Sequence, residues 1–220
     1  MTRTLETGRR APASGTVRRA VVFLHGYGAD GADLLGLADP LAPHLPDTLF
    51  LAPDAPEPCA GNPFGRQWFP IPWLDGASEA AAAAGLAAAQ ADLDAWLDAL
   101  LQAEGLRAGQ VALVGFSQGT MMALAVAPRR SEAVAGVVGF SGRLLAPERL
   151  AAETLSRPPI LLVHGDADEV VPPQSMAEAS DALQAADFTV YGHVMRGTGH
   201  GIAPDGLSVA LAFLRDVLPE

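Results

Sequence analysis

The fold of this chain is decided by the stretch Val111-Ala-Leu-Val-Gly115-Phe-Ser117-Gln-Gly119, a short apolar run that ends in Gly-x-Ser-x-Gly. The helix-forming residues 120–127 follow at once. A strand that turns sharply into a helix at a serine leaves that hydroxyl exposed above the sheet edge, beside helix-terminal N–H groups. Gly115 and Gly119 suit such a turn because no Cβ fits where strand and helix close on each other. The stretch therefore predicts that Ser117 is an activated nucleophile.

Two alternatives concern the serines themselves. Ser117 could instead cap the free amides at the start of a helix. The near miss Gly139-Phe-Ser141-Gly142-Arg143 lacks the last glycine, and no apolar helix follows it. We interpret Ser141 as a turn residue at a strand end, near the site.

A serine nucleophile needs a general base and a third group that orients the base. In an α/β-hydrolase these follow the serine in the order Asp or Glu, then His, each on a loop after a strand. Residues 159–164 have the pattern of a buried strand, and the loop after it contains Asp168. Residues 188–195 have the pattern of another strand, and the glycine-rich loop after it contains His200. Asp168 and His200 are therefore the candidate acid and base.

Two other carboxylates compete with Asp168 in the same loop, namely Asp166 and Glu169. Asp166 is placed to organise the turn by hydrogen bonding to nearby backbone. We therefore favour Asp168 as the group that orients the base.

Three other histidines compete with His200. His25 and His164 each precede a glycine at a strand end, where a side chain often orients a loop, and His193 lies inside a predicted strand. We favour His200 because its loop position lets the imidazole reach across to the serine.

An oxyanion hole is the fourth part of such a site, because the negative charge of the tetrahedral intermediate needs preorganised donors. Residues 19–24 are predicted to form a strand, and residues 25–30 are the loop after it. The usual donors are the N–H after the nucleophile and one N–H from this early loop. Here they are the backbone groups of Gln118 and Tyr27.

Four motifs, in this order along the chain, resemble those of the phospholipase/carboxylesterase group of α/β-hydrolases, which includes bacterial carboxylesterases and acyl-protein thioesterases. The motifs are Leu24-His-Gly-Tyr-Gly28, Gly115-Phe-Ser-Gln-Gly119, His164-Gly-Asp-Ala-Asp168 with Val171-Pro172, and Gly199-His-Gly-Ile202. The resemblance runs from about residue 17 to the C-terminus. It implies Ser117 as nucleophile, Asp168 as orienting acid and His200 as base, with Tyr27 and Gln118 as oxyanion donors, and it requires no metal or cofactor.

Residues 53–76 form the longest stretch without hydrophobic periodicity, and long irregular loops in compact domains tend to be functional. Within it, Gly65-Arg-Gln-Trp-Phe-Pro70 is similar to a Trp-Phe stretch of the bacterial family members. We predict that 53–76 is the acyl-side wall of the pocket, with core packing as the alternative for its large side chains. The candidate lining residues are Trp68, Phe69, Ile71 and Trp73.

The resemblance leaves the substrate open between two classes. The family's thioesterases act on long acyl chains and its esterases on shorter ones. Our main interpretation is a serine carboxylesterase that acts on short- to medium-chain acyl esters through an acyl-enzyme. The alternative is an acyl-protein thioesterase or lysophospholipase that uses the same three residues.

Length and composition predict one α/β domain over residues 1–220, in which 1–16 form either a less ordered N-terminal arm or an edge strand. A 22.7 kDa chain of this length buries about 70% of its unfolded surface. Its net charge of −11 disfavours nucleic acid and anionic membranes as partners. All 14 basic residues are arginine, which excludes chemistry that needs lysine. Cys59 is the single cysteine, so a cysteine-rich metal site is excluded and the thiol is interpreted as a bystander.

The termini and the longest apolar segment indicate a cytoplasmic protein without integral membrane association. The first seventeen residues contain no apolar signal region. The Ala-rich segment 77–103 is interrupted by acidic residues, which argues against a membrane span. Exposed aromatic residues near the pocket mouth could support a homodimer.

Strands alternate with helices along the chain, which predicts a mostly parallel sheet with helices on both faces. We place strands near 18–24, 48–52, 110–115, 134–140, 159–164 and 188–195, with a further strand in 2–10. We place helices near 31–44, 77–104, 118–127, 173–186 and 205–217. In the longest helix, leucines and Trp96 form one apolar stripe, and Gly105 is expected to end it.

Overall fold

A seven-stranded sheet organises residues 2–219, the part of the chain that this structure, a computed structural model, describes. The strands are Thr7–Arg10 (β1), Arg19–Leu24 (β2), Thr48–Pro53 (β3), Glu57–Cys59 (β4), Asn62–Gln67 (β5), Val111–Phe116 (β6), Gly136–Phe140 (β7), Ile160–Gly165 (β8) and Val190–Met195 (β9). The α-helices are Gly31–Leu35 (α1), Ala38–Leu41 (α2), Pro72–Asp75 (α3), Glu79–Glu104 (α4), Gln118–Val126 (α5), Leu150–Glu153 (α6), Gln174–Ala185 (α7) and Pro204–Val217 (α8). In space the order is β1-β3-β2-β6-β7-β8-β9, and β4 pairs with β5 as a separate hairpin. Apart from β1, which is antiparallel to β3, the strands of the large sheet are parallel.

Two hydrophobic clusters cover the two faces of the sheet. Because successive side chains of a strand point to opposite faces, Ala20, Val22 and Leu24 of β2 join one cluster, while Val21 and Phe23 join the other. The first cluster also holds buried residues of α4, α5 and α7, and the second holds those of α1, α2 and α8. The predicted α/β class, with a mostly parallel sheet and helices on both faces, is confirmed.

The strands predicted from apolar runs correspond to β2, β3, β6, β7, β8 and β9, with ends that differ by two residues or fewer. The further strand expected in 2–10 is β1, at the edge of the sheet. Gly105 ends α4 in the left-handed conformation at φ 64°. Met1 and Glu220, the ends of the predicted domain, lie outside the described residues.

The single helix predicted over 31–44 is wrong, because the structure divides this segment. α1 ends at Leu35, α2 is one turn long, and residues 42–44 form a 3-10 turn. Gly36 lies between the two helices and has a low helix propensity. Pro40 and Pro43 have no backbone N–H to donate four residues back. The apolar spacing alone did not reveal these breaks.

Residues 53–76 are more ordered than their lack of periodicity suggested, since they contain the β4–β5 hairpin and α3. Pro58, Pro63 and Gly65 are residues that strands usually avoid. A tertiary contact selects Gly65, because a Cβ there would lie 2.1 Å from the carbonyl oxygen of Gly28. The hairpin therefore depends on its packing against the loop after β2.

The parallel strands deliver the candidate site to one edge of the sheet. The segments that follow β2, β6, β8 and β9 contain Tyr27, Ser117, Asp168 and His200. The carboxyl ends of neighbouring parallel strands meet at one edge, where ligands of open α/β sheets bind. Among the helices of residues 2–219, none combines the length and the apolar character that a membrane crossing requires.

Candidate active site

Ser117 lies in a strained turn between β6 and α5. Its φ is 53°, in the left-handed region that costs a non-glycine residue on the order of 1–3 kcal/mol. The turn leaves no room for side chains, since a Cβ on Gly119 would lie 1.8 Å from the carbonyl oxygen of Leu24. A Cβ on Gly115 would likewise lie 2.5 Å from the backbone of Gly119. The glycines on both sides of the serine are therefore required by packing.

The hydroxyl of Ser117 does not cap the helix that it precedes. Ser117 occupies the N-cap position of α5, yet its side chain makes no capping hydrogen bond. The helix-cap alternative is therefore wrong. A half-buried serine that strains the backbone without capping has its hydroxyl free for another purpose.

Asp168 and His200 are joined directly. His200 Nδ1 lies 2.8 Å from Asp168 Oδ2, although 32 residues separate them in the chain. The Asp168 side chain has no exposed surface, and its Oδ1 accepts from the N–H groups of Val170 and Val171, both at 2.9 Å. Burial alone would raise the pKa of Asp168, but the bonds from His200, Val171 and Val170 outweigh burial and hold it below its ordinary value. This carboxylate is therefore ionised at neutral pH.

The imidazole of His200 lies beside the turn that carries Ser117. Its ring centroid is 4.9 Å from that of Phe116, the residue directly before the serine. About four fifths of the His200 side chain is buried, since 18% of it is exposed. The ring is thus held between the buried carboxylate of Asp168 and the turn that carries Ser117.

The competing carboxylates have other surroundings. Asp166 Oδ1 accepts from the N–H of Gly197 at 2.6 Å, so it connects its loop to the one after β9, and the prediction that it organises its own turn is wrong. Glu169 is exposed. Neither contacts His200 through the bonds seen in residues 2–219.

His164 has a contact that the sequence did not predict. Its Nε2 lies 2.9 Å from the carbonyl oxygen of Val171 and 3.2 Å from Asp168 Oδ2. The predicted role in orienting a loop fits the first contact. Through the second contact, both His164 and His200 lie beside Asp168 Oδ2. The conformation of the loop after β8 creates this arrangement. No hydrophobic period or motif spacing encodes that conformation.

His193 has a different partner from His200 and His164. Its Nε2 pairs with Asp205 Oδ2 at 2.8 Å on the surface. His25 is fully buried, and its Nε2 accepts from the N–H of Ala55 at 2.9 Å. Since Nε2 accepts, Nδ1 carries the proton and donates to the carbonyl of Gly26 at 2.8 Å. His25 therefore orients its loop, as one alternative proposed.

Stability should depend on pH through His25. Burial lowers the pKa of His25, against the opposing influence of the Gly26 carbonyl and nearby carboxylates. Above the unfolded value of about 6.5 both states are neutral, and below it only the unfolded chain takes up the proton. We expect the free energy of unfolding to fall by up to about 1.4 kcal/mol per pH unit below that value. His25→Gln keeps an acceptor for Ala55 without titrating, so its stability gap to wild type should narrow on acidification.

Urea unfolding of both proteins at several pH values between about 7.5 and 5 measures this gap. All other titratable groups are common to the two proteins, so their contributions cancel in the gap. A constant gap for His25→Gln would contradict the prediction.

Both predicted oxyanion donors are available to a ligand. Among the bonds of residues 2–219, the backbone N–H groups of Tyr27 and Gln118 donate to no protein acceptor. The two loops approach closely, because a Cβ on Gly26 would lie 3.3 Å from Cβ of Ser117. Burial, followed by the neighbouring Cys59 thiol, raises the pKa of the Tyr27 phenol to about 12, so the loop bears no phenolate charge.

The predicted lining residues divide into core and surface. Trp68 is fully buried, and Phe69 and Ile71 are 6% exposed within the main hydrophobic cluster. Core packing therefore describes Trp68, whose side chain cannot meet a substrate. Trp73 on α3 is 68% exposed. Pocket lining by Phe69, Ile71 and Trp73 stays a prediction.

The chain is similar to a known protein family and to curated proteins. The model of the family described as phospholipase/carboxylesterase matches residues 11–218. The esterase YpfH of Escherichia coli (strain K12) is 29% identical over 211 residues, which cover 92% of this chain and 84% of that protein. Acyl-protein thioesterase 1 of Saccharomyces cerevisiae is 28% identical over 228 residues, covering 91% and 93%.

The chain is also similar to solved structures. The crystal structure of esterase PE8 superposes with a TM-score of 0.92 at 44% identity, covering 97% of this chain and 99% of that one. Acyl-protein thioesterase 2 of Zea mays superposes with a TM-score of 0.79 at 26% identity, covering 97% and 99%. Both similarities extend over nearly the whole chain.

Proposed function

Because the chain belongs to the phospholipase/carboxylesterase family and is similar to proteins named as esterases and an acyl-protein thioesterase, we propose that it hydrolyses short- to medium-chain acyl esters through an acyl-enzyme on Ser117. His200 is the general base and Asp168 the group that orients it. The observation that carries the proposal is the 2.8 Å contact of His200 with buried Asp168. It lies beside the strained turn of Ser117, whose hydroxyl makes no capping bond.

In the first step, Ser117 Oγ attacks the ester carbonyl carbon while His200 Nε2 takes the hydroxyl proton. The carbonyl π electrons move to its oxygen, and the N–H groups of Tyr27 and Gln118 donate to the resulting oxyanion. When the tetrahedral intermediate collapses, the bond to the leaving group breaks and His200 returns the proton to the departing alcohol or thiol. The acyl group is then esterified to Ser117.

In the second step, water repeats the sequence on the acyl-enzyme. His200 takes a proton from the water as its oxygen attacks, and the same two N–H groups hold the new oxyanion. Collapse releases the carboxylic acid, and the proton on His200 returns to Ser117. The net reaction consumes one water and restores the enzyme.

Asp168 contributes through the imidazolium that His200 becomes in each step. Its depressed pKa keeps it ionised, so a full negative charge faces Nδ1 when the positive charge forms. The two backbone donors, Val170 and Val171, fix the other oxygen and hence the direction of the bond to His200. The ring is therefore held in the tautomer that accepts the serine proton.

Thioester or lysophospholipid hydrolysis by the same residues is the second candidate, and relatives named acyl-protein thioesterases support it. The chemistry is shared, because only the leaving group or the acyl chain changes. The greater identity to esterase PE8 favours the ester.

A chain-length series of p-nitrophenyl esters, together with acyl thioesters of matched chain length, tests the proposed substrate class. We expect kcat/KM to be greatest for a short or medium acyl ester and lower by about tenfold or more for its matched thioester, a difference of roughly 1.4 kcal/mol in barrier. A maximum at long-chain thioesters would support the second candidate instead. No turnover of either class by folded protein would contradict both.

A further inference from the structure

The side chain of Gln118 connects the nucleophile turn to the segment that follows the hairpin. It is fully buried at the start of α5, and both ends of its amide are bonded. Oε1 accepts from the N–H of Trp68 at 2.9 Å, and Nε2 donates to the carbonyl of Phe69 at 2.8 Å. Because a backbone N–H must meet the oxygen, these bonds fix the amide orientation and attach residues 68–69 to the turn of Ser117.

The same stretch of chain also holds the loop after β2. We call residues 66–69 the bridging segment. The carbonyl of Arg66 accepts from the N–H of Gly28 at 2.9 Å, and the N–H of Arg66 donates to the carbonyl of Ala29 at 2.8 Å. The bridging segment is thereby bonded to the loop immediately after Tyr27.

The indole of Trp68 secures that loop on the other side of Tyr27. Its Nε1 donates to the carbonyl of His25 at 3.0 Å, and the whole side chain is buried. The bridging segment thus bonds to the chain both before and after Tyr27, while Gln118 bonds to the bridging segment. The bonds of the Gln118 side chain and of the Trp68 indole are buried, where water does not compete strongly with them.

We propose that the Gln118 side chain is a positioning residue that sets the geometry of the oxyanion hole, an inference that rests on the proposed function. The two donors, the N–H groups of Tyr27 and Gln118, belong to loops far apart in the chain. Their separation therefore depends on contacts between loops. Gln118 supplies one donor from its backbone and, through its side chain and the bridging segment, holds the loop of the other donor.

The consequence for catalysis follows from how such donors act. They stabilise the transition state only when both lie about 2.7–3.1 Å from the developing oxyanion. Binding of the ground-state carbonyl depends less on these two distances. Releasing the bridging segment should therefore lower kcat more than it weakens substrate binding. A residue that serves only stability would affect the fraction of folded enzyme and leave kcat per folded molecule unchanged.

Gln118→Met is the main test, because methionine has a similar length and can make neither bond. In folded enzyme we expect kcat for a p-nitrophenyl ester to fall about 10- to 100-fold with KM changed less than about threefold. The affinity for an alkyl trifluoromethyl ketone should fall in parallel with kcat/KM, because its hemiketal with Ser117 places an oxyanion in the hole. The affinity for the product carboxylic acid should change little.

Gln90→Met is the matched control. Gln90 also bonds a side-chain amide to backbone near α5, from Nε2 to the carbonyl of Ala125 at 3.3 Å, but at the far end of the helix. Its kcat should stay within about twofold of wild type, since no transition-state contact changes.

Two further variants cover the case in which Gln118→Met does not fold. Gln118→Asn keeps an amide that is one methylene too short to make both bonds, and Trp68→Phe removes the indole bond to His25 while keeping the backbone bond to Gln118. Each should lower kcat selectively, by less than Gln118→Met. The inference is overturned if every variant that folds has kcat within about twofold of wild type, or loses affinity for the ketone and the carboxylic acid equally. Turnover retained by Ser117→Ala would instead contradict the proposed function, which separates the two failures.

Discussion

Ser117→Ala is expected to lower kcat for ester hydrolysis by about four to six orders of magnitude, because no acyl-enzyme can form without the hydroxyl. Folding should be preserved. The substitution removes only a hydroxyl that makes no capping bond, and the left-handed backbone at φ 53° is strained in both proteins. The release of p-nitrophenol from p-nitrophenyl esters measures kcat, and circular dichroism checks the fold.

Ser141→Ala is the matched control for that experiment. Ser141 also has a left-handed backbone, at φ 47°, and it directly follows β7 at the same edge of the sheet. It is fully buried, and its Oγ has no hydrogen-bond partner among the described residues. We expect its kcat to stay within about tenfold of wild type. A serine-directed phosphonate should label Ser117 in the control, and labelling at Ser141 would contradict the assignment.

Asp168→Asn should lower kcat by about 10⁴-fold with the fold intact. In the variant, Oδ1 must still accept from the N–H groups of Val170 and Val171, so the new NH₂ takes the place of Oδ2 and faces His200 Nδ1. Two donors cannot share that contact. His200 then carries its proton on Nε2 and cannot accept the proton of Ser117.

Asp166→Asn is the control for this second prediction, because Asp166 lies two residues away and is exposed. Within residues 2–219 its side chain accepts only from the backbone of Gly197, a bond that the Asn oxygen can keep. Its kcat should remain within about threefold of wild type. If Asp166→Asn were the more damaging change, the two carboxylates would have to exchange their proposed roles. Steady-state kinetics on both variants decide between these outcomes.

Much of the sheet could be predicted from sequence because parallel strands buried on both faces are continuous apolar runs. β6 and β8 are examples, in which nearly every residue is buried. The glycines around Ser117 indicated the sharp turn for a related reason, since only the absence of a Cβ permits it. These signals are local, so one sequence is enough to read them.

Other features depended on contacts between distant segments and left no local signal. The β4–β5 hairpin contains prolines and a glycine, and its place is set by bonds to Gly28 and Ala29. The break after α1 is an exception, because Gly36, Pro40 and Pro43 are local signals that the prediction ranked below the apolar spacing. Trp68 looked like a lining residue because its type suits a pocket, yet its indole is buried against the carbonyl of His25.

The sequence by itself determined the order of the large sheet's strands and of the longer helices, the strained serine turn and the chain order of Ser117, Asp168 and His200. These follow from side-chain size, hydrophobic period and backbone preference, which act over a few residues. Only the tertiary structure decided that His200 bonds to Asp168, that His164 shares the same oxygen, and that Gln118 reaches residues 68–69. Hydrogen bonds require two atoms within about 3 Å of each other, and the folding of loops that are distant in the chain creates that proximity.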